Sequence, residues 1–293
     1  MPRTVTVGLD GSPESLAAAD WAAREAKLRR LPLKLVNVWE PAPTPIAQAP
    51  LLGPETRQQW SDHIPREAAG ELRAAHPGVD VLVEQVTGRP AEVLTDAAKD
   101  AEPLVLGSRG LSGMGGFVVG SVGLAVVAHA ERPVVLVRAE GDTSGTDSGV
   151  PAPRPVVLGL DTTAPDDTLI GFAFEAAVLR GASLRVVHGW NEPPYIAYGM
   201  PPDLELNAQI GAGEAAAVSE VLRPWRQKFP TVDVVEDSLS GKAANHLVEA
   251  SAEASLVVVG RRIRRSALGV HIGPVTHAVL HHATAPVAVV PHD

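Results

Sequence analysis

Short apolar runs alternate with longer stretches of helical period along the whole chain. The runs Thr4–Leu9, Leu33–Trp39, Val79–Val86, Leu104–Leu106 and Val134–Val137 are rich in Val and Leu. Gly, Pro or polar residues bound them, so each reads as a buried strand. A stripe of Leu16, Ala19, Ala23, Ala26 and Leu28 predicts a helix from about Glu14 to Arg30, capped by Ser12 or Ser15. A second helix is expected from about Pro54 to His76, broken or bent near Pro65, and a third over Ala91–Lys99. From Ser121 the period is helical again, with Val122, Ala125, Val126 and His129 on one side, and Pro133 ends that helix before the last strand. Such alternation predicts a parallel sheet with helices on both faces. Parallel sheets bind ligands at the carboxyl ends of their strands, near the switch point. Asp10, Val38 and Gly107 all fall at such ends.

Residues 139–155, AEGDTSGTDSGVPAPRP, have no periodicity and read as a linker. After them the pattern returns. Val157–Asp161 repeats the first strand, Leu184–Trp190 repeats Leu33–Trp39, and Leu256–Gly260 repeats the run into Gly107. Self-similarity at this scale predicts a duplicated domain, with one copy over 1–138, a linker over 139–154 and a second copy over 155–293.

Chemistry concentrates between Leu106 and Ser121, where Gly107, Gly110, Gly113, Gly115, Gly116 and Gly120 crowd one loop. Glycine supplies positive φ and close backbone approach, so Gly107 and Gly110 are expected to present bare amides to a phosphate chain. Gly120 and Ser121 stand where free N–H groups, the helix dipole and a hydroxyl converge. The alternative is a flexible surface loop with a serine cap. The spacing Gly107-x-x-Gly110, nine residues, then Gly120-Ser121 resembles the ATP-binding signature of the universal stress protein family. Val7-Gly8-Leu9-Asp10 supplies the aspartate that the family places at the end of its first strand. The loop is not a P-loop, because the chain has no G-x-x-x-x-G-K-[ST].

That resemblance implies an α/β fold of two tandem doubly wound domains, each a five-stranded, mainly parallel sheet of the adenine nucleotide alpha hydrolase-like type. It implies ATP with Mg as ligand, held by Gly8, Asp10, Val38, Gly107, Arg109, Gly110, Gly120, Ser121 and Val122. In it Asp10 contacts the ribose or the phosphate-bound Mg, and Val38 offers backbone groups to the adenine edge. The residues alone leave Asp10 open as an Asx turn or helix cap, Val38 as core, and Arg109 as a solvated loop cation. The resemblance also implies that the last strands pair across a domain interface, as an intrachain pseudo-dimer or a homodimer.

The second half departs from the signature. Asp161, Gly260 and Gly273 remain as a weaker site, but Ile263 replaces the second glycine and Pro274 the serine. Proline brings neither an N–H nor a hydroxyl, though it starts a helix well. Arg261, Arg262, Arg264 and Arg265 either grip an anion through their side chains or form a solvated basic loop.

Charge and composition then remove alternatives. A net charge of −9 over 293 residues argues against a general nucleic-acid or membrane-surface binder. The absence of cysteine excludes disulfides and thiolate chemistry. No apolar run approaches the roughly 20 residues of a spanning helix, so a cytoplasmic location is expected. His277 and His281 have the i, i+4 spacing of two metal ligands but no glutamate between them in an H-E-x-x-H arrangement; a structural pair is expected. No triad elbow or kinase loop set occurs, so no catalytic residue is assigned. The expected function is ATP binding in a regulatory, stress-response role, with an unnamed protein partner. The rival is a slow ATP hydrolase or nucleotidyl-transfer enzyme using the same pocket.

Overall fold

The computed structural model describes residues 3–40, 54–108, 119–139, 153–193, 203–263 and 272–293. The chain divides into two compact units, one built on residues 1–142 and the other on 143–262 with 273–293. The first runs β1 (Thr4–Leu9), α1 (Pro13–Arg29), β2 (Leu33–Trp39), α2 (Pro54–Ala75), β3 (Val81–Thr87), α3 (Pro90–Ala97), β4 (Ala101–Ser108), α4 (Ser121–His129) and β5 (Val134–Arg138). The second runs β6 (Val156–Gly159), α5 (Asp167–Arg180), β7 (Leu184–Trp190), α6 (Leu204–Lys228), β8 (Val234–Ser240), α7 (Ala243–Ser251), β9 (Leu256–Arg262), α8 (Pro274–His282) and β10 (Val287–His292).

Within each unit every pairing is parallel, in the orders β3-β2-β1-β4-β5 and β8-β7-β6-β9-β10. Inner strands such as β1 and β4 are nearly all buried because both faces are covered, whereas β3 and β8 carry mostly exposed or half-buried positions. Val5, Val7, Leu33, Leu35, Leu104 and Val105 are wholly buried. On α1 the inward face is alanine, with Ala18, Ala19, Ala22, Ala23 and Ala26 buried, which brings the helix axis close to the sheet. On α5 the same role falls to larger groups, among them Ile170 and Phe174. Ser12 caps α1 through its Oγ, which accepts from Ser15 N at 3.2 Å. Asp166 caps α5 by accepting from the amides of Thr168 and Leu169.

The fold class is the expected one, and the differences lie at element ends. The α2 helix runs through Pro65 without a break. β3 starts at Val81 rather than Val79, because Gly78 takes φ +93° and the Val79 amide donates to His76 O in a turn. α3 ends at Ala97 and a 3₁₀ turn, Ala98–Asp100, leads into β4. Ser121 is the first residue of α4 and Gly120 takes the cap position, because Gly120 has the extended ψ of 155° that a cap requires.

Two glycines show where backbone packing sets the residue. A methyl built on Gly189 of β7 would stand 2.5 Å from Ala243 Cα at the start of α7, whereas one on Gly213 of α6 meets nothing within 4 Å. Gly189→Ala is therefore expected to destabilise by about 1–3 kcal/mol through overpacking. Gly213→Ala is expected to stabilise by about 0.5–1 kcal/mol through helix propensity. Urea denaturation of the two variants checks both signs.

Candidate functional site

The sheet order of the first unit reverses direction beside β1, and the strands there stop at different heights. The β1–β2 ladder ends at Leu9–Asn37, while β2 continues against β3 as far as Trp39–Thr87. Val38 is therefore the first residue of β2 beyond the β1 ladder, just where β1 turns away. A cleft of about 290 Å³ opens at this point, near the lower end of the ~300–1,000 Å³ usual for small-ligand sites. Gly8 and Asp10 line it from β1, Val38 from β2, Gly107 from β4, and Gly120, Ser121 and Val122 from the start of α4. Val36, Leu94 and Leu106 give it an apolar wall. Arg109 and Gly110 lie outside the described residues.

The α4 end of the cleft is suited to an anion. Gly120 has no side chain to close the helix, and the first amides of a helix have no intrahelical acceptor. Dipole and N–H groups thus point the same way. A methyl on Gly120 would meet nothing within 4 Å among the described residues, and its φ of −61° suits any residue. Gly107 behaves differently. A methyl there would stand 2.6 Å from the Glu14 carbonyl carbon and 2.7 Å from Ser15 N. The missing side chain at Gly107 lets the first turn of α1 lie on β4, a packing role that the sequence did not suggest.

Asp10 does two things at once. Its Oδ1 accepts from Ser12 N at 2.9 Å and from Ser12 Oγ at 2.5 Å, the Asx geometry that leads into α1, and the residue also lines the cleft. Behind it stands Asn37, 3% exposed, whose Nδ2 donates to Leu9 O at 2.8 Å. Pattern reading passed over Asn37. The available signal was a polar amide in the middle of the apolar run LKLVNVW.

The second unit repeats the frame with other groups in the equivalent places. Asp161 accepts from Thr163 N at 3.0 Å and Thr163 Oγ1 at 2.6 Å. Partial burial opposes its charge, but both Thr163 hydrogen bonds, together with nearby Arg262 and His188, outweigh that and hold the carboxyl below its ordinary range. His188 stands where Asn37 stands in β2. Its Nδ1 is 3.0 Å from Leu160 O, and its Nε2 is 3.1 Å from Glu214 Oε2 on α6. Gly189 takes the place of Val38 and has the start of α7 against it. Gly260 is covered by His292 and Leu169, while Thr276, in the position of Gly123, donates its hydroxyl to Gly260 O at 2.7 Å. Gly273 caps α8, and Pro274 is its first residue. Arg261 is 4% exposed and Arg262 is exposed, and Arg264 and Arg265 lie outside the described residues. The His277 and His281 rings lie tilted at 41° with centroids 4.4 Å apart. Among the described residues no three His, Cys, Asp or Glu side chains gather as a metal site, and no helix is long and apolar enough to cross a membrane.

Two doubly wound, five-stranded parallel units, the first with a cleft at its switch point, give the chain the adenine nucleotide alpha hydrolase-like fold. The model of the universal stress protein family matches residues 1–138 and again 153–291, and the chain belongs to that family as a tandem member. A universal stress protein of Mycobacterium tuberculosis is 33% identical over 97% of this chain and 96% of its own. A universal stress protein of Archaeoglobus fulgidus shares the fold with a TM-score of 0.69 at 17% identity, covering 99% of this chain and 98% of that one. A further universal stress protein, solved in complex with cAMP, is 30% identical across 47% of this chain and 98% of its own, with a TM-score of 0.36.

The Asp161 geometry has a pH consequence. Its folded-state titration lies below the unfolded one, so its contribution to stability is complete above the ordinary carboxylate range, about 3.9, and fades as pH falls through the folded value. Thr163→Ala removes one of the hydrogen bonds that favour the charged form. Carboxyl NMR titration is expected to find Asp161 at higher pH in that variant than in the parent, and an unmoved midpoint would contradict the assignment.

Proposed function

We propose that the first domain binds ATP with Mg as a regulatory ligand in a cytoplasmic stress-response protein, and that the second domain binds nucleotide weakly or not at all. One observation carries the reading. Residues far apart in sequence (Gly8 and Asp10, Val38, Gly107, and Gly120 to Val122) border a single cleft lined both by apolar side chains and by an uncapped helix start. That combination fits a nucleotide. Val36, Leu94 and Leu106 suit the base, and the backbone of Val38, just beyond the end of the β1 ladder, suits its hydrogen-bonding rim. The amides of α4 and the Ser121 hydroxyl suit phosphate.

Asp10 suits a ribose hydroxyl or a phosphate-bound Mg. The described residues offer no three-ligand cage, which agrees with an ion held by phosphates and one carboxylate, the usual manner of Mg binding. Bound Mg would supply charge neutralisation between the phosphates and Asp10. The second domain lacks the same features for stated reasons. Pro274 offers no first-turn amide or hydroxyl, Thr276 is turned onto Gly260 O, and α7 stands against Gly189.

Gly120 provides the cleanest probe, because a methyl there touches no atom of the described residues. Gly107→Ala is a poor one, since it displaces α1. Titration calorimetry with MgATP is expected to give about one strong site per chain. Gly120→Ala combined with Ser121→Pro is expected to weaken it about a hundredfold or more, the equivalent of two charge-assisted hydrogen bonds, with the thermal midpoint of the free protein little changed. Two equal sites, no binding, or a strong site that survives the double change would each overturn the reading.

A further inference from the structure

We propose that Asn37 and Ser15 are positioning residues of the first crevice, gripping the one peptide plane on which Asp10 leaves the sheet. The role rests on the reading of the crevice as a nucleotide site. The peptide between Leu9 and Asp10 lies at the end of the β1–β2 ladder. Side chains reach both of its polar atoms. Leu9 O accepts from Asn37 Nδ2 at 2.8 Å, and Asp10 N donates to Ser15 Oγ at 3.3 Å. Both residues are buried, Asn37 at 3% and Ser15 at 4% exposure.

Each gripping group is itself fixed. Asn37 Oδ1 accepts from Gln85 Nε2 on β3 at 3.3 Å, which sets the amide orientation. Ser15 Oγ donates to Ser12 O at 2.9 Å, which leaves its lone pairs for the Asp10 amide. Ser12 in turn donates its N–H and hydroxyl to the Asp10 carboxylate. The clamp thus spans three strands and the first turn of α1. It ties the strand end that bears Val38 to the turn that bears Asp10, and these are the two sides between which a base and ribose would lie.

The second unit offers an internal comparison. His188, the fifth residue of β7 as Asn37 is of β2, keeps the grip on the corresponding carbonyl, Leu160 O, at 3.0 Å. The third residue of α5 is Leu169, where α1 has Ser15, and a leucine accepts nothing from the Asp161 amide. Both grips therefore occur together in the unit that carries the whole glycine signature. The half-clamp occurs in the unit that has lost it. A purely architectural need at this strand end would call for the same pair in both.

The test measures MgATP affinity by calorimetry, and the thermal midpoint without ligand, for the full chain and for Asn37→Asp, Ser15→Ala and Asp10→Ala. Asn37→Asp keeps the shape but sets an acceptor against Leu9 O. Its affinity is expected to fall about tenfold, the equivalent of roughly one hydrogen bond. Ser15→Ala, the milder change should Asn37→Asp not fold, is expected to lose about three- to tenfold on the same basis. Because both residues act through Asp10, each loss should shrink to under about twofold in the Asp10→Ala background, a coupling that a double-mutant cycle reads directly. A lower thermal midpoint with unchanged affinity, or losses that persist in full without Asp10, would show a structural role only and overturn the proposal. Absence of ATP binding by the parent chain would instead overturn the nucleotide reading, and the clamp with it.

Discussion

A parallel strand that stops two residues before its neighbour opens a gap at its carboxyl end, and the first crevice is built on such a gap. β1 gives up its ladder with β2 at Leu9–Asn37 while β2 and β3 continue together. The chain must then turn from the sheet into α1 without stranding buried peptide groups, which are costly when unpaired. Asp10, Ser12 and Ser15 settle that requirement locally, and Asn37 settles it across the sheet. Gly107 completes the arrangement from the other side, since its lack of a side chain lets the turn of α1 rest on β4. The groups that border the cleft are thus also the groups that satisfy the strand end, so the geometry is preset before any ligand arrives.

The duplication shows how far one frame tolerates different chemistry. The two units share strand order, the long helices and even the carbonyl grip at the end of their first strands, yet one grips with an amide and the other with an imidazole. His188 brings Glu214 with it, linking α6 to the strand end. Gly189, Thr276 and Pro274 each replace something that lines the cleft in the first unit. Each replacement fits with its neighbours, so the second unit is a repacked version of the frame rather than a damaged one.

Legibility followed the physics of each feature. Strand existence and order of elements were plain, because runs such as Leu104–Leu106 and Val134–Val137 are apolar on both faces, as a covered parallel sheet requires. Element ends were less plain. Gly78 moved the start of β3 by two residues through a left-handed turn, whereas α4 begins at Ser121 as read, with Gly120 as its cap. Pro65 looked like a break, yet α2 runs through it. The glycine signature pointed to the right neighbourhood, but for Gly107 the reason is contact with Glu14 and Ser15, nearly a hundred positions away in the chain.

The sequence by itself determined the duplicated α/β frame, its family, and the candidate residues at strand carboxyl ends, because these depend on local periodicity and on spacing within single loops. Only the tertiary structure decided that Gly8, Asp10, Val38, Gly107 and Gly120 border one cleft, that Gly120 stands open while Gly107 is packed, and that Asn37 and Ser15 hold the same peptide. Those facts depend on the register between strands and on where each ladder stops. Register is fixed by side chains meeting across the sheet, between segments whose separation along the chain carries no trace of the contact.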